Sequence, residues 1–450
     1  MSKTVNISKK KMIFIGFVCL VVFIIGSGVT GKAVPVKPVV QEGKQLISLS
    51  IKDYSRYIQT NSPLDEVYRL DEIGYFLVNS NELDSIEKSG TPIIGKEPVE
   101  KFIRRIQPPD GISSPTGDVN GAFHSYSETV AMLNDLQKRF PSLASVGSMG
   151  HSAEGRELQY IKISNNVSID ENEPNIYLLG CHHAREWLSV EVPLLFAQYL
   201  LENYAVNSEV RNAIDHSQIF ILPVCNPDGL EFSIQTYRMW RKNRKYNGDL
   251  SWGVDINRNY GYKWGFDNIG SSSDPWDETY RGTAAFSEPE TNMIRTFLIS
   301  HPPAGLISYH TYSQLILYPW SYTYTEPPDV DIFMKIALEM QTRIFKVNGR
   351  LYKYGSSDQL YLTNGDTSDW VYGTFGAPAF TIELPPLEFT EGGFFTSEKM
   401  ISEVYNENIP ALLYFVNYFA ASENQPAPLI LKKEKFNTSG YEQNLNALNE

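Results

Sequence analysis

Residues 181–187 read Cys181-His182-His183-Ala184-Arg185-Glu186-Trp187 and follow the apolar run Ile176-Tyr177-Leu178-Leu179-Gly180. A histidine and a glutamate three residues apart can share one face of a turn, because the helical period brings i and i+3 together. An imidazole nitrogen beside a carboxylate oxygen is a donor pair for a metal ion, so His183 and Glu186 are candidate ligands. A strand end followed by a helix N-terminus gives the same pattern, since a glutamate is favoured there by the helix dipole alone. What lies downstream separates the two.

Four further ordered motifs and one marked tyrosine follow: Tyr237-Arg238-Met239-Trp240-Arg241, Asp255-Ile256-Asn257-Arg258-Asn259, Ser308-Tyr309-His310-Thr311-Tyr312, Tyr361 within 360–366, and Thr381-Ile382-Glu383. In this order and company, residues 121–420 resemble the zinc metallocarboxypeptidases of the carboxypeptidase A/B type, most closely their bacterial carboxypeptidase T branch.

The resemblance implies one zinc ion per chain, with His183, Glu186 and His310 as ligands and a fourth position open for water. Zinc would activate that water and polarise the scissile carbonyl. Glu383 would be the general base and acid, and Arg241 would stabilise the oxyanion of the tetrahedral intermediate. Asp255 would orient the ring of the first ligand histidine. Asn257 and Arg258 would clamp the free C-terminal carboxylate, a group that a planar guanidinium matches in two places. Tyr361 would close over the bound residue, with Arg185 and Tyr312 as auxiliary contacts. The enzyme would be a hydrolase acting on the C-terminal peptide bond of peptides and proteins.

Specificity rests on a few residues at the pocket base. By the same resemblance these fall on Thr363, Asp366 and Ser368, with Ser321 and Thr381 from other segments. Ser368 stands where the basic-specific branch has aspartate and the apolar-specific branch isoleucine, so neither specificity carries over. Asp366 matches an acidic pocket residue, and the expectation is release of both apolar and basic C-terminal residues. The segment Asp170-Glu171-Asn172-Glu173 resembles a calcium-binding loop of the carboxypeptidase T branch, with Asp170, Glu171 and Glu173 as oxygen donors to a structural calcium ion. Asn175 stands where another acidic residue would be expected. The alternative substrate is a cell-wall peptide with a γ-glutamyl-diaminopimelate link. Asn257 with Arg258, and the lack of an evident wall-binding repeat, favour ordinary peptides. A catalytically dead binding module would have lost Glu383 or a ligand, and none is lost.

Such a site must be held by rigid elements. Apolar strand-like runs at 158–163, 176–180, 219–224, 305–309 and 379–382 alternate with helical periodicity at 189–204, 288–300, 331–347 and 403–419. Ser125 with Glu128 forms a capping box that opens a further helix running to Phe140. The pattern predicts an α/β domain: a mixed, mostly parallel sheet with helices on both faces, preceded by a small α+β prosegment. His183, His310 and Glu383 each follow a predicted strand, at the carboxyl ends where open sheets of this kind bind ligands.

The chain of 450 residues carries a formal charge of −13 and a sequence pI near 5.2, which argues against a nucleic-acid partner. Lys9-Lys10-Lys11 followed by the uncharged stretch Met12–Val29 reads as a signal peptide over 1–33, or as an uncleaved N-terminal anchor in the membrane. Residues 44–106 read as a small α+β module, 107–120 as a Pro/Gly/Ser-rich linker, 121–421 as the catalytic domain and 422–450 as a disordered tail. The resemblance implies that 44–106 is a prosegment released by an activating protease in the linker of a secreted zymogen, with an accessory domain that stays attached as the alternative; a monomer is expected. Cys19, Cys181 and Cys225 supply no disulfide framework. Cys181 and Cys225 are read as buried thiols, with a bridge between them as the alternative.

Overall fold

The computed structural model describes residues 44–61, 64–70, 73–99, 101, 120–249, 251–388 and 391–420. The signal or anchor segment, most of the linker and the tail lie outside the described residues. Among the described residues, no helix is long and apolar enough to cross a membrane.

An N-terminal α+β module contains strands β1 (Gln45–Ser50), β2 (Asp65–Leu70), β3 (Ile73–Val78) and β4 (Gly95–Pro98), in the order β2-β3-β1-β4. Two helices, α1 (Ile51–Tyr57) and α2 (Ser80–Ser89), accompany them. Asn79 and Glu82 form the capping box of α2, and Gly90 ends it with φ 75°, where a side chain would be strained. Strand alternation gives this sheet two apolar faces. Ile47, Leu49, Phe76 and Val78 pack on the module's own helices, whereas Leu46 and Leu77 join Tyr237, Met239, Trp240, Phe394 and Phe395 of the larger module.

The larger module is built on eight strands: β5 (Ala144–His151), β6 (Glu157–Ile163), β7 (Asn175–Leu179), β8 (Gln218–Leu222), β9 (Pro303–Thr311), β10 (Leu315–Tyr318), β11 (Lys353–Ser356) and β12 (Ala379–Leu384). Their order is β11-β10-β12-β9-β7-β8-β6-β5. The central pairs β12–β9, β9–β7 and β7–β8 are parallel; β6 and β5 run antiparallel at one side, and β10 is antiparallel to β12. A parallel centre must be covered on both faces. Ile307, Tyr309, Phe380 and Ile382 face one core with helices α4 (Leu188–Asn203), α8 (Val330–Asn348) and α10 (Lys399–Ala420). Leu179, Leu306 and Ala379 face the other, with α7 (Pro289–Ser300) and α9 (Thr367–Phe375). Helix α3 (Tyr126–Arg139) opens at Ser125 on the expected capping box. Helices α5 (Ser208–Asp215) and α6 (Pro227–Gln235) complete the described set.

Each predicted strand and helix of this module forms within a few residues of its expected bounds. The short elements β5, β10, β11, α5, α6 and α9 were not expected. Edge strand β5 reads Ala-Ser-Val-Gly-Ser-Met-Gly-His, without the alternation that would mark it. Cys181 and Cys225 are buried free thiols, so the bridge does not form.

Candidate metal centre and peptide site

Strand β7 delivers the first ligands. A Cβ on Gly180 would sit 2.4 Å from the Ser189 carbonyl oxygen and 2.6 Å from that of Pro223, so only glycine fits where the strand ends. Cys181 then takes a left-handed backbone, φ 51°, and donates its N–H to Ser189 Oγ at 3.0 Å. The chain turns back rather than entering a helix: Glu186 N–H meets the His183 carbonyl at 3.2 Å, and α4 starts at Leu188. His310 lies near the end of β9, two residues after Ser308 and therefore on the same face.

His183 Nδ1 is 2.8 Å from Glu186 Oε1, His310 Nδ1 is 3.1 Å from Glu186 Oε2, and the two Nδ1 atoms are 3.2 Å apart. Among the described residues, these three form the one group of His, Cys, Asp or Glu side chains whose ligand atoms converge within 4.8 Å. On their far sides, His183 Nε2 faces Asp255 Oδ1 at 3.2 Å and His310 Nε2 faces Ser308 Oγ at 3.0 Å. Protons held at Nε2 by these acceptors leave both Nδ1 lone pairs pointing at one spot, an arrangement that a cation relieves. The donor set of two imidazoles and a carboxylate suits zinc. Burial opposes ionisation of Glu186, yet His183 and His310 hold its carboxyl well below the usual range.

Asp255 joins this centre to an arginine. Its Oδ2 accepts from Arg241 Nε at 3.0 Å and Nη2 at 2.8 Å, while Oδ1 also accepts the Asn257 N–H at 2.9 Å and so caps the turn Ile256–Arg258. One pocket is lined by His183, His310, Glu383, Asn257, Arg258, Tyr361, Ser321, Thr363, Asp366 and Thr381. Glu383 is pushed well above the ordinary carboxylate range by burial and by Glu186, against the pull of Arg241 and Arg258. At the pocket base, Asp366 caps α9 by accepting the Asp369 N–H at 3.0 Å and also accepts the Thr363 hydroxyl at 3.1 Å.

A profile of the zinc carboxypeptidase family matches residues 129–411, the span that carries all of these side chains. The chain belongs to the zinc carboxypeptidase family. It is 36% identical over 304 residues to a zinc carboxypeptidase of Saccharothrix mutabilis subsp. capreolus, covering 66% of this chain and 69% of that one. It is 36% identical over 265 residues to carboxypeptidase A1 of Rattus norvegicus, covering 58% of this chain and 62% of that relative's length. Among solved structures, carboxypeptidase A of Helicoverpa armigera superposes with a TM-score of 0.70 at 26% identity, covering 86% of this chain and 100% of that one. Thrombin-activatable fibrinolysis inhibitor gives 0.68 at 27% identity, covering 84% and 99%. Both shares exceed what residues 121–450 contain, so the likeness reaches into the N-terminal module. Membership makes the protein a metallocarboxypeptidase-type hydrolase and implies zinc as its metal.

Not every expected site residue of this family member lines the pocket. Ser368 is hydrogen-bonded to Thr381, a lining residue, their hydroxyl oxygens 2.6 Å apart. Arg241 lines an adjoining cavity with Arg258 and Tyr361, roofed by Ile51, Tyr54, Ser55, Ile58 and Leu64 of the N-terminal module. Arg185 is 1% exposed, its guanidinium 4.2 Å from the Phe394 ring centroid, and Tyr312 meets the same ring edge-on at 5.1 Å. Leu46, Leu77 and Val99 of the N-terminal module belong to the same cluster as Phe394; Arg185 is buried and Tyr312 partly buried beside it. In the acidic loop, Asp170 Oδ1 accepts from Gln218 Nε2 at 3.0 Å and Glu171 Oε1 from Asn166 Nδ2 at 3.2 Å. Oε2 of Glu171 and of Glu173 are buried without a hydrogen-bond partner, and the carboxylates of Asp170, Glu171 and Glu173 do not form a group whose ligand atoms converge as those of His183, Glu186 and His310 do. Three buried residues around the centre were not singled out beforehand: His182, Ser308 and Thr367. The signal for Ser308 was its place two residues before His310 on one strand face.

Proposed function

We propose that this zinc carboxypeptidase is a secreted exopeptidase that removes both apolar and basic residues from peptide C-termini. The observation that carries the proposal is one pocket lined together by His183 and His310 of the converging His/Glu/His group, by Glu383, by Asn257 and Arg258, and by Asp366. Zinc, when bound by His183, Glu186 and His310, supplies a Lewis acid that polarises the scissile carbonyl and acidifies water. Glu383, on β12 opposite His310, takes a proton from the attacking water and passes it to the departing amine. Arg241, aligned by Asp255, donates to the developing oxyanion. Asn257 accepts from Thr367 at its amide oxygen, which leaves the amide nitrogen as the donor beside Arg258 for the terminal carboxylate. Tyr361 is 45% exposed at the rim and closes over the bound residue. Asp366 offers charge to a basic side chain, while Thr363, Thr381, Ser321 and Leu317 accept an apolar one.

In the same reading, residues 44–106 are a prosegment that lies over the pocket, cut away in the linker 107–120 after the signal at 1–33 has directed export. The roof that Tyr54, Ile58 and Leu64 make over Arg241 and Tyr361 supports this. The test is a panel of matched peptides ending in Phe, Arg or Glu, assayed with the full chain before and after limited trypsin treatment. The proposal predicts release of Phe and Arg that rises on cleavage. Release of one class alone would overturn the broad specificity, and undiminished activity of the intact chain would overturn the prosegment.

A further inference from the structure

We propose that His182 is a positioning residue that ties the metal ligand His310 to the carboxylate-binding residue Asn257 through one buried hydrogen-bonded relay. The relay runs from His310 Nε2 to Ser308 Oγ at 3.0 Å, from Ser308 Oγ to His182 Nδ1 at 3.1 Å, from His182 Nε2 to Thr367 Oγ1 at 3.1 Å, and from Thr367 Oγ1 to Asn257 Oδ1 at 2.8 Å. Tyr260 adds a second partner at His182 Nε2, 2.9 Å away. His182, Ser308, Thr367 and Tyr260 are wholly buried, so no water competes for these bonds.

One set of directions gives every donor in the relay an acceptor within it. With Nδ1 of His310 turned to the metal, its Nε2 carries the proton and donates to Ser308. The Ser308 hydroxyl proton then has His182 Nδ1 as its acceptor, which places the His182 proton on Nε2. That N–H points at Thr367 and Tyr260, and the Thr367 hydroxyl donates to Asn257 Oδ1. The Thr367 N–H donates to the same oxygen at 3.0 Å. An amide whose oxygen is held by two donors presents its nitrogen to the pocket. A flipped Asn257 would set oxygen against the anionic C-terminus, so the relay decides whether this residue attracts or repels the substrate. Chain topology makes the relay continuous: Leu179, three residues before His182, is the register partner of Ser308 in the β7–β9 pairing, and Thr367 opens helix α9.

The experiment compares full-length wild type with His182→Asn, His182→Gln and His182→Leu. Zinc Kd is read by competition with a chromogenic chelator; KM and kcat are read on a peptide ending in Phe after matched trypsin treatment. An asparagine oxygen reaches the Nδ1 position and keeps Ser308, so zinc Kd stays within ~3-fold while KM rises ~10-fold. A glutamine amide reaches the Nε2 position and keeps Thr367, so KM stays within ~3-fold while zinc Kd rises ~10-fold, the usual scale for a group that orients a ligand. Leucine moves both. Ser308→Ala and Thr367→Val cut the relay at its two ends and repeat the split, the first in zinc Kd and the second in KM. Asparagine and glutamine variants that shift both quantities by one common factor mark a packing role and overturn the relay, as does a folded leucine variant that shifts neither. The KM arm rests on the exopeptidase reading. A wild type that binds zinc but releases nothing removes that reading, while the zinc arm of the Gln and Ser308→Ala variants still decides the metal half of the relay.

Discussion

Glu383 lies opposite His310 in the parallel pairing of β12 with β9, and the preceding pair on the same face is Thr381 with Ser308. Neighbouring strands are about 4.8 Å apart, so the sheet itself sets the spacing between the proposed proton carrier and the proposed metal ligand. Side chains fixed by register do not depend on a loop to find each other. Glu383→Gln keeps the shape and removes the base. The expected result is a kcat about 10²–10⁴-fold lower, with KM and zinc content close to wild type. Unchanged kcat in a zinc-loaded variant would remove Glu383 from the chemistry.

Asp255 holds His183 with one oxygen and Arg241 with the other, so its loss affects two functions that single variants separate. Asp255→Ala is expected to raise zinc Kd by about 10–100-fold and to lower kcat as well. Arg241→Ala is expected to lower kcat by about 100-fold or more at unchanged zinc affinity. Chelator competition alongside steady-state kinetics checks both. Normal zinc affinity in Asp255→Ala would contradict its orienting role.

Asp366 supplies charge at the base of the pocket, next to Asp369, whose carboxyl burial and Asp366 together push well above the usual range. Asp366→Asn keeps the helix-capping oxygen and removes the charge. The kcat/KM for peptides ending in Arg is expected to fall by about 10-fold or more, with little change for those ending in Phe. Equal losses on both substrates would make Asp366 a structural cap only.

Much of the fold was legible because its centre is apolar on both faces: runs such as Ile176–Leu179 and Ala379–Ile382 can hardly be anything but buried strands. The convergence of His183, Glu186 and His310 was legible through the spacing of the first two and the order of the later motifs. What stayed hidden depends on tertiary contact. The packing of Arg185 and Tyr312 against the Phe394 ring, 4.2 Å and 5.1 Å from its centroid, joins segments far apart in sequence and could not be read from it. The hydrogen bond between Ser368 and Thr381 likewise joins a helix and a strand that the sequence does not place side by side. His182 reads as an ordinary neighbour of a ligand until β7 and β9 bring it to Ser308.

The contact between modules carries its own pH dependence. Lys44 pairs with Glu278, and Glu82 and Asp277 are buried close enough to repel. Burial, then Asp277, pushes Glu82 up to about 8, and burial pushes Asp277 up to about 7. Separating the modules takes Glu82 away from Asp277 and Glu278 and lowers its carboxyl toward the ordinary range. The docked form therefore binds more protons, so docking is tightest at low pH and weakens as pH rises from ~4 to ~8. After cleavage of the linker, the Kd between the fragments is expected to rise about 10-fold or more between pH 5 and 8, and Glu82→Gln is expected to flatten the change. Docking that tightens with pH would contradict this account.

The most direct measurement pairs a peptide ending in a free carboxylate with its C-terminal amide, assayed with trypsin-treated full chain with and without a zinc chelator, then with zinc restored. The account predicts release of the last residue from the free peptide only, lost with chelator and regained with zinc. Equal cleavage of the amide, or no release by folded, zinc-loaded protein, would contradict it and turn attention to cell-wall peptides with γ-glutamyl-diaminopimelate links.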